Sequence, residues 1–355
     1  MTHRRIVMLG TAFDTMGGIS SVVNVYRAAG LFERWPVTYI ATHRDGSKFA
    51  KLNRAGCAVM QFLRLLILRR VLAVHVHTSS RASFWRKGIF FLLAGAFRVP
   101  IILHLHGGNF DQYFDKVGSY RKRIIRFAFN HVAAVIALSD EWRKWMLSRF
   151  GKVNVFVAFN PVAIPAPVTD EREAATLLFL GQFGQRKGIY ILLAAVAKLA
   201  GEFPTLRLLA GGDGELEQVR EMANALGIKD RVEILGWVKG AAKDALLARS
   251  TIYVLPSYAE NLPMSVLEAM AAGMPVISTP VGGIPSAIEH GVEGYLVTPG
   301  DSDALAEAIR GLLVDRDACR QMGEAARAKA IVKFSAEKVI ADVEHVYRAL
   351  GLFPS

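Results

Sequence analysis

Two glutamates eight residues apart, Glu260 and Glu268, stand around the start of a short helix within Ser257–Gly273. Carboxylates so placed can hold ligand hydroxyls beside an anion site. The apolar run Ile252–Leu255 before them reads as a buried strand, Pro263 suits the first turn of a helix, and Gly273 before Met274-Pro275 stops it. At about 1.5 Å per residue, Glu268 then lies roughly 7–8 Å along the axis from the helix start. The free N–H groups and dipole of such a start attract anions, and Glu260, Asn261 and Leu262 lie in the loop that leads into it. Glu268 has Met264, Ser265, Ala271 and Ala272 three and four residues away, so no basic side chain pairs with it on its own helix. In so apolar a helix a carboxylate needs a hydrogen-bonding partner from elsewhere, and a ligand hydroxyl would serve.

Three glycine-rich loops follow strand-like runs: Gly17-Gly18, Gly181–Gly188 and Gly211–Gly214. Each can bring backbone N–H groups close to a phosphate, although tight strand-to-helix turns need glycine in any case. None spells G-x-G-x-x-G or G-x-x-x-x-G-K-[ST]. The second is the best anion site, because Arg186 and Lys187 put fixed positive charge beside it. Two His-x-His pairs, His75/His77 and His104/His106, each fall on one face of a strand, but no cysteine or acid accompanies them and no metal site is expected. His106 differs in standing at a strand end before Gly107-Gly108, where a structural and a catalytic role are equally open by position. Asp301-Ser-Asp303 and Asp315-Arg-Asp317 read as helix-start acids rather than as ligands of a divalent ion.

The elements that must position these residues alternate along the whole chain. At 355 residues two domains are expected. Short apolar strands alternating with helices point to α/β architecture, with parallel sheets covered on both faces. The boundary falls at the proline-rich Asn160–Pro167, giving a first domain over 1–165 and a second over 166–335, with a final helical segment over 336–355. Two doubly wound, Rossmann-like domains in series place ligands beyond the carboxyl ends of the strands, in the cleft between them. Two distant cysteines, Cys57 and Cys319, offer no disulfide framework and suit a reducing compartment. Residues 1–168 carry 24 Lys+Arg against 7 Asp+Glu, whereas the remainder is mildly acidic, so the two halves meet different partners. The basic, apolar-rich stretches Arg81–Gly88 and Lys116–Phe129 have the composition of helices lying on an anionic bilayer; solvated helices and a nucleic-acid surface are the other readings.

Taken in order, Gly17-Gly18, His106-Gly107, Phe179–Gly181 with Lys187-Gly188, Gly211–Gly214, Gly236-Trp237-Val238, Glu260-x7-Glu268, Pro275–Ser278, Gly282–Pro285 and Phe334-Ser335 resemble the retaining GT-B glycosyltransferases of family GT4. The resemblance runs over almost the whole chain and is strongest from about residue 176 to 300. It implies a second domain that binds a nucleotide-diphosphate sugar as co-substrate and a first domain that takes the acceptor, with no cofactor and no metal. Glu268 would hold the ribose hydroxyls. Glu260 and the loop through Asn261, Leu262 and Pro263 would meet the sugar and phosphate, and Val238 would lie by the base. Lys187, with Arg186, would neutralise the leaving diphosphate, which Gly17 and Gly18 would approach from the other domain. His106 would sit near the reacting sugar, and the last helix would cross back to the first domain. One departure is clear: the family usually carries an arginine directly after the first glycine of the second-domain loop, and here that place is Gln182.

The expected protein is a cytoplasmic enzyme, peripheral on the inner face of the membrane, that moves sugar to a lipid-linked or other saccharide acceptor in cell-surface polysaccharide assembly. No nucleic-acid partner is expected. A nucleotide-sugar epimerase of the same shape, and a basic membrane- or RNA-binding adaptor, are the alternatives.

Overall fold

A computed structural model describes residues 4–168 and 172–354 and divides the chain into two compact units. The first comprises Met1–Pro161 with Ala336–Ser355, and the second Val162–Ser335. The first unit runs β1 (Arg5–Thr11), α1 (Gly18–Ala28), α2 (Leu31–Arg34), β2 (Val37–His43), α3 (Lys48–Ile67), β3 (Val71–Thr78), α4 (Ala82–Ala96), β4 (Ile101–Leu105), α5 (Phe110–Lys116), α6 (Ser119–His131), β5 (Ala134–Ala137), α7 (Asp140–Phe150) and β6 (Val155–Val157). Its six strands pair in parallel in the order β2-β1-β3-β4-β5-β6. The apolar runs that form β1, β3 and β4 are buried on both faces, as a helix-covered parallel sheet requires.

The second unit runs β7 (Thr176–Leu180), α8 (Ile189–Leu199), β8 (Arg207–Gly211), α9 (Leu216–Ala225), β9 (Val232–Gly236), α10 (Ala241–Arg249), β10 (Ile252–Leu255), α11 (Met264–Ala271), β11 (Val276–Ser278), α12 (Ile284–Ala287), β12 (Gly294–Leu296), α13 (Ser302–Val314) and α14 (Arg316–Lys329). A π-helical turn over Ala330–Phe334 leads to α15 (Ala336–Ala349), which belongs to the first unit. There Tyr347 is fully buried, with its hydroxyl 2.7 Å from His75 Nδ1 and its ring against Trp35. The second sheet has the order β12-β11-β10-β7-β8-β9, again all parallel.

In both sheets the order in which the chain adds strands reverses once, between β1 and β3 in the first and between β7 and β10 in the second. A doubly wound sheet opens a ligand crevice at the carboxyl ends of such a pair, because the loops leave to opposite faces there. The loop Gly181–Lys187 follows β7 and Pro256–Pro263 follows β10, so both candidate loops of the second unit meet at its reversal. Pro263 stands one place earlier than its sequence suggests: it is the extended residue before α11 (φ −70°, ψ 129°) rather than part of the first turn.

Candidate functional site

In the second unit the loops after β7 and β10 are held together by close backbone approach. A Cβ on Gly188 would run into the carbonyl of Pro256, and one on Gly282 into the carbonyl of Glu260; both glycines have positive φ (75° and 59°). Larger residues would therefore push the loops apart. Within this frame Lys187 and Glu260 meet: Nζ lies 2.5 Å from Oε1, with the two side chains 14% and 7% exposed. Ser257 Oγ donates to the same oxygen at 2.9 Å, and the Arg186 guanidinium stands 3.9 Å from it on the solvent side. The Asn261 carbonyl accepts from Gly283 N at 2.5 Å, which ties the β10 loop to the one after β11. Gln182, which stands where the resemblance expects an arginine, is exposed, and Arg186 is half exposed with its guanidinium 3.9 Å from Glu260.

Glu268 has no basic partner on its own helix, and the sequence leaves its partner to come from elsewhere; besides any ligand, the protein supplies one. Lys243 from α10 reaches it at 2.7 Å, with the side chains 24% and 16% exposed. The partner comes from a neighbouring helix, where a search at three and four residues cannot see it. Burial still pushes the Glu268 carboxyl up, and Lys243 pulls it partly back. Lys243 engages only Oε1 and leaves Oε2 outside that bond. Val238 follows β9 and packs against the Gly211 backbone at the end of β8. Asp301 and Asp315 are helix caps, accepting from Asp303 and Ala304 N and from Ala318 N respectively. They are spent on backbone donors, as helix-start acids should be.

In the first unit four imidazoles form a ladder across β3 and β4. His75 Nε2 and His104 Nδ1 are 3.2 Å apart, and His77 Nδ1 lies 2.9 Å from His106 Nε2. The rings stack, His104 on His106 at 4.3 Å and His75 on His77 at 4.5 Å. Burial holds His75 and His106 down to about 3, with His77 and His104 also well below the ordinary value, so all four are neutral at pH 7. Nitrogens of His75, His77 and His104 lie within 4.8 Å of one another. Yet near-parallel rings aim their in-plane lone pairs side by side, whereas a tetrahedral ion needs them to converge at about 2.0–2.1 Å. The geometry is that of a hydrogen-bonded ladder. His106 is its outermost rung, half-buried just past β4, and its backbone N–H donates to the Thr78 carbonyl at 2.7 Å.

Between two neutral rings one nitrogen donates and the other accepts, so His77 and His106 constrain each other's tautomers, with Asn160 a further hydrogen-bond partner of His106. The other nitrogen of His77, Nε2, is buried without a partner. His77→Phe keeps a stacked ring and removes that orphan. The expected result is a melting temperature within a few degrees of wild type, a changed ¹⁵N imidazole signature for His106 and turnover lowered by about tenfold, as for loss of one hydrogen bond. Gly17 caps α1 at φ 139° and Gly18 opens it; a Cβ on either would meet open space, so both loop backbones are free to be approached.

The comparisons with known proteins agree with this geometry. Residues 165–329 match the model of the glycosyl transferases group 1 family, and residues 21–161 that of the glycosyl transferase 4-like domain. The N-acetyl-alpha-D-glucosaminyl L-malate synthase of Bacillus anthracis is 37% identical over 48% of this chain and 44% of its own length. The phosphatidyl-myo-inositol mannosyltransferase of Mycobacterium leprae is 32% identical over 61% of this chain and 59% of its own. The chain thus spans about half the length of the curated relatives it matches. Among solved structures, HepE of Anabaena in complex with UDP and glucose aligns at TM-score 0.77 and 19% identity, covering 98% of this chain and 100% of that one. Sucrose-phosphate synthase of Thermosynechococcus elongatus aligns at 0.81 and 20%, covering 98% and 99%. These structures show the fold, GT-B.

Proposed function

Since the chain belongs to the group 1 glycosyltransferases of GT-B fold, we propose that it transfers a sugar from a nucleoside-diphosphate donor, with retained anomeric configuration, to a lipid-linked saccharide acceptor. The observation that carries this reading is the Lys187–Glu260 pair at the reversal of the second sheet, with Glu268 on the helix that follows. Bond cleavage at the anomeric carbon leaves negative charge on the diphosphate. An ammonium fixed at that crevice stabilises the charge as it forms. In this reading Lys187, with Arg186 beside it, does the work that a divalent cation does in other transferases. Glu260 orients Lys187 and faces the sugar, and Asn261, Leu262 and Pro263 present backbone to the donor. Glu268 holds ribose hydroxyls through its remaining oxygen, while Val238 lies by the base. His106, kept neutral by burial, lies near the reacting sugar, and Gly17 and Gly18 meet the phosphate. The HepE structures hold UDP with glucose or UDP-glucose, which supports a uridine donor. The mycobacterial relative is named for a lipid, phosphatidyl-myo-inositol, and the basic first half supports a lipid-linked acceptor at the inner membrane face.

A thermal-shift screen of nucleotide sugars tests the donor assignment, because a ligand that binds only the native state raises its stability by mass action. Glu268→Gln then weakens the selected donor by about 10- to 100-fold, the effect of losing a charge-assisted hydrogen bond. The amide still accepts from Lys243, so the fold is kept. Unchanged affinity in that variant removes the ribose role from Glu268. Isomerisation of the donor without any acceptor would identify an epimerase instead.

A further inference from the structure

We propose that the outer faces of α3 and α4 form a docking surface for an anionic lipid bilayer. The proposal gives the lipid-linked reading its contact surface and rests on that reading for its purpose, while its physical grounds are separate. Helix α3 carries two apolar stripes. Ala58, Phe62 and Leu66 face the sheet and are buried. Phe49, Leu52, Met60 and Ile67 recur at helical spacing on another side, and they are 81, 74, 67 and 62% exposed. A single buried stripe is all that an amphipathic surface helix needs. Helix α4 lies beside α3, with Phe62 and Phe90 in ring contact at 5.5 Å on the inner side, and it adds the exposed Ile89 and Leu92. Both helices end in the same way: Leu68-Arg69 and Phe97-Arg98 each pair an exposed apolar residue with an arginine at positive φ (52° and 54°). Large apolar side chains gathered on two adjacent helices mark a contact surface.

Charge identifies the occupant. From residue 46 to 110 the chain has ten Lys and Arg and no Asp or Glu. Lys48, Lys51, Arg54 and Arg64 on α3 and Arg86 on α4 are all exposed around the apolar stripe. A second copy of the chain is a poor occupant, since a two-fold contact sets the same patch against itself and brings like charges together. An anionic bilayer takes both components, with apolar side chains entering the acyl boundary and cations staying among the headgroups. No helix among the described residues is long and apolar enough to cross a membrane, so the contact is one of lying on the surface.

The test uses the full chain and sedimentation with large unilamellar vesicles, either phosphatidylcholine alone or with 30% phosphatidylglycerol. Strong partitioning to the anionic vesicles and weak partitioning to the neutral ones is expected. Phe49→Ser with Leu52→Ser should lower the anionic partition coefficient by at least tenfold, and Lys48→Gln with Lys51→Gln should lower it less and flatten its salt dependence. Both double variants should keep the wild-type melting temperature, which excludes misfolding as the cause. Partitioning that is equal on both vesicles, absent, or unchanged in the serine variant overturns the proposal. So does a concentration-dependent dimer in light scattering that the serine variant abolishes. Loss of every nucleotide-sugar shift with vesicle binding intact would instead sink the transferase reading and leave the surface standing.

Discussion

Replacing Lys187 by alanine is expected to lower turnover by about 100- to 1,000-fold, the usual consequence of removing one preorganised group that stabilises charge in the transition state. The change has two effects that must be separated. Lys187 is also the main partner of Glu260, which is 7% exposed, and a buried carboxylate left unpaired costs about 3–5 kcal/mol. Ser257 still donates to it, and the half-exposed Arg186, 3.9 Å away, can swing inward, so the loss should fall at the low end of that range. The double variant Lys187→Ala, Glu260→Gln removes the unpaired charge and is expected to recover most of the melting temperature without recovering turnover. If turnover returned with stability, Lys187 would be a structural cation only. Lys187→Arg is a useful intermediate: it keeps the charge, but the lysine stem packs on Gly181, where a Cβ would lie 3.5 Å from Lys187 Cδ, and a planar guanidinium fits there poorly.

The parts of the fold that were legible in the sequence are those whose burial is simple. Strands such as Ile252–Leu255 are apolar throughout because helices cover both faces, and α6 shows its span in a basic, amphipathic run. The segment containing β2 and α3 was not legible. Val37–His43 is an edge strand whose first three residues are only partly buried, so it lacks the continuous apolar run. Helix α3 is apolar on two sides, which blurs the single stripe by which a helix is recognised. In the site, residues on loops between predictable elements were found because glycine and charge patterns mark them. Lys243 was missed because its partner lies 25 residues on, across two helices. The ladder of histidines was half visible: alternation places each pair on one face, but only the register of β3 against β4, with His77 opposite His104, brings all four together.

Lys87 had no sequence signal at all, and it carries the second large prediction. It is fully buried on α4, its Nζ lies 3.3 Å from Ser83 Oγ, and no carboxylate pairs with it among the described residues. Burial first, and Arg86 second, pull it down from 10.5 to about 7. The sign follows directly. Between pH 7 and 10.5 the unfolded chain holds this proton and the folded chain does not, so stability falls as pH drops through that window and is level below it. A difference of this size corresponds to several kcal/mol, on the order of 3–5. Lys87→Met, similar in length and without charge, is therefore expected to be more stable than wild type at pH 7, with a melting temperature raised by roughly 10 °C. The alkaline rise in stability should be absent from the variant. Equal stability at pH 7 with parallel pH profiles would mean that the ammonium is compensated within the fold. Where Lys87 is charged, below about pH 7, its field adds to burial in holding His77 and His106 neutral. Because burial is the larger cause, Lys87→Met should gain heat resistance while the ladder stays neutral at pH 7.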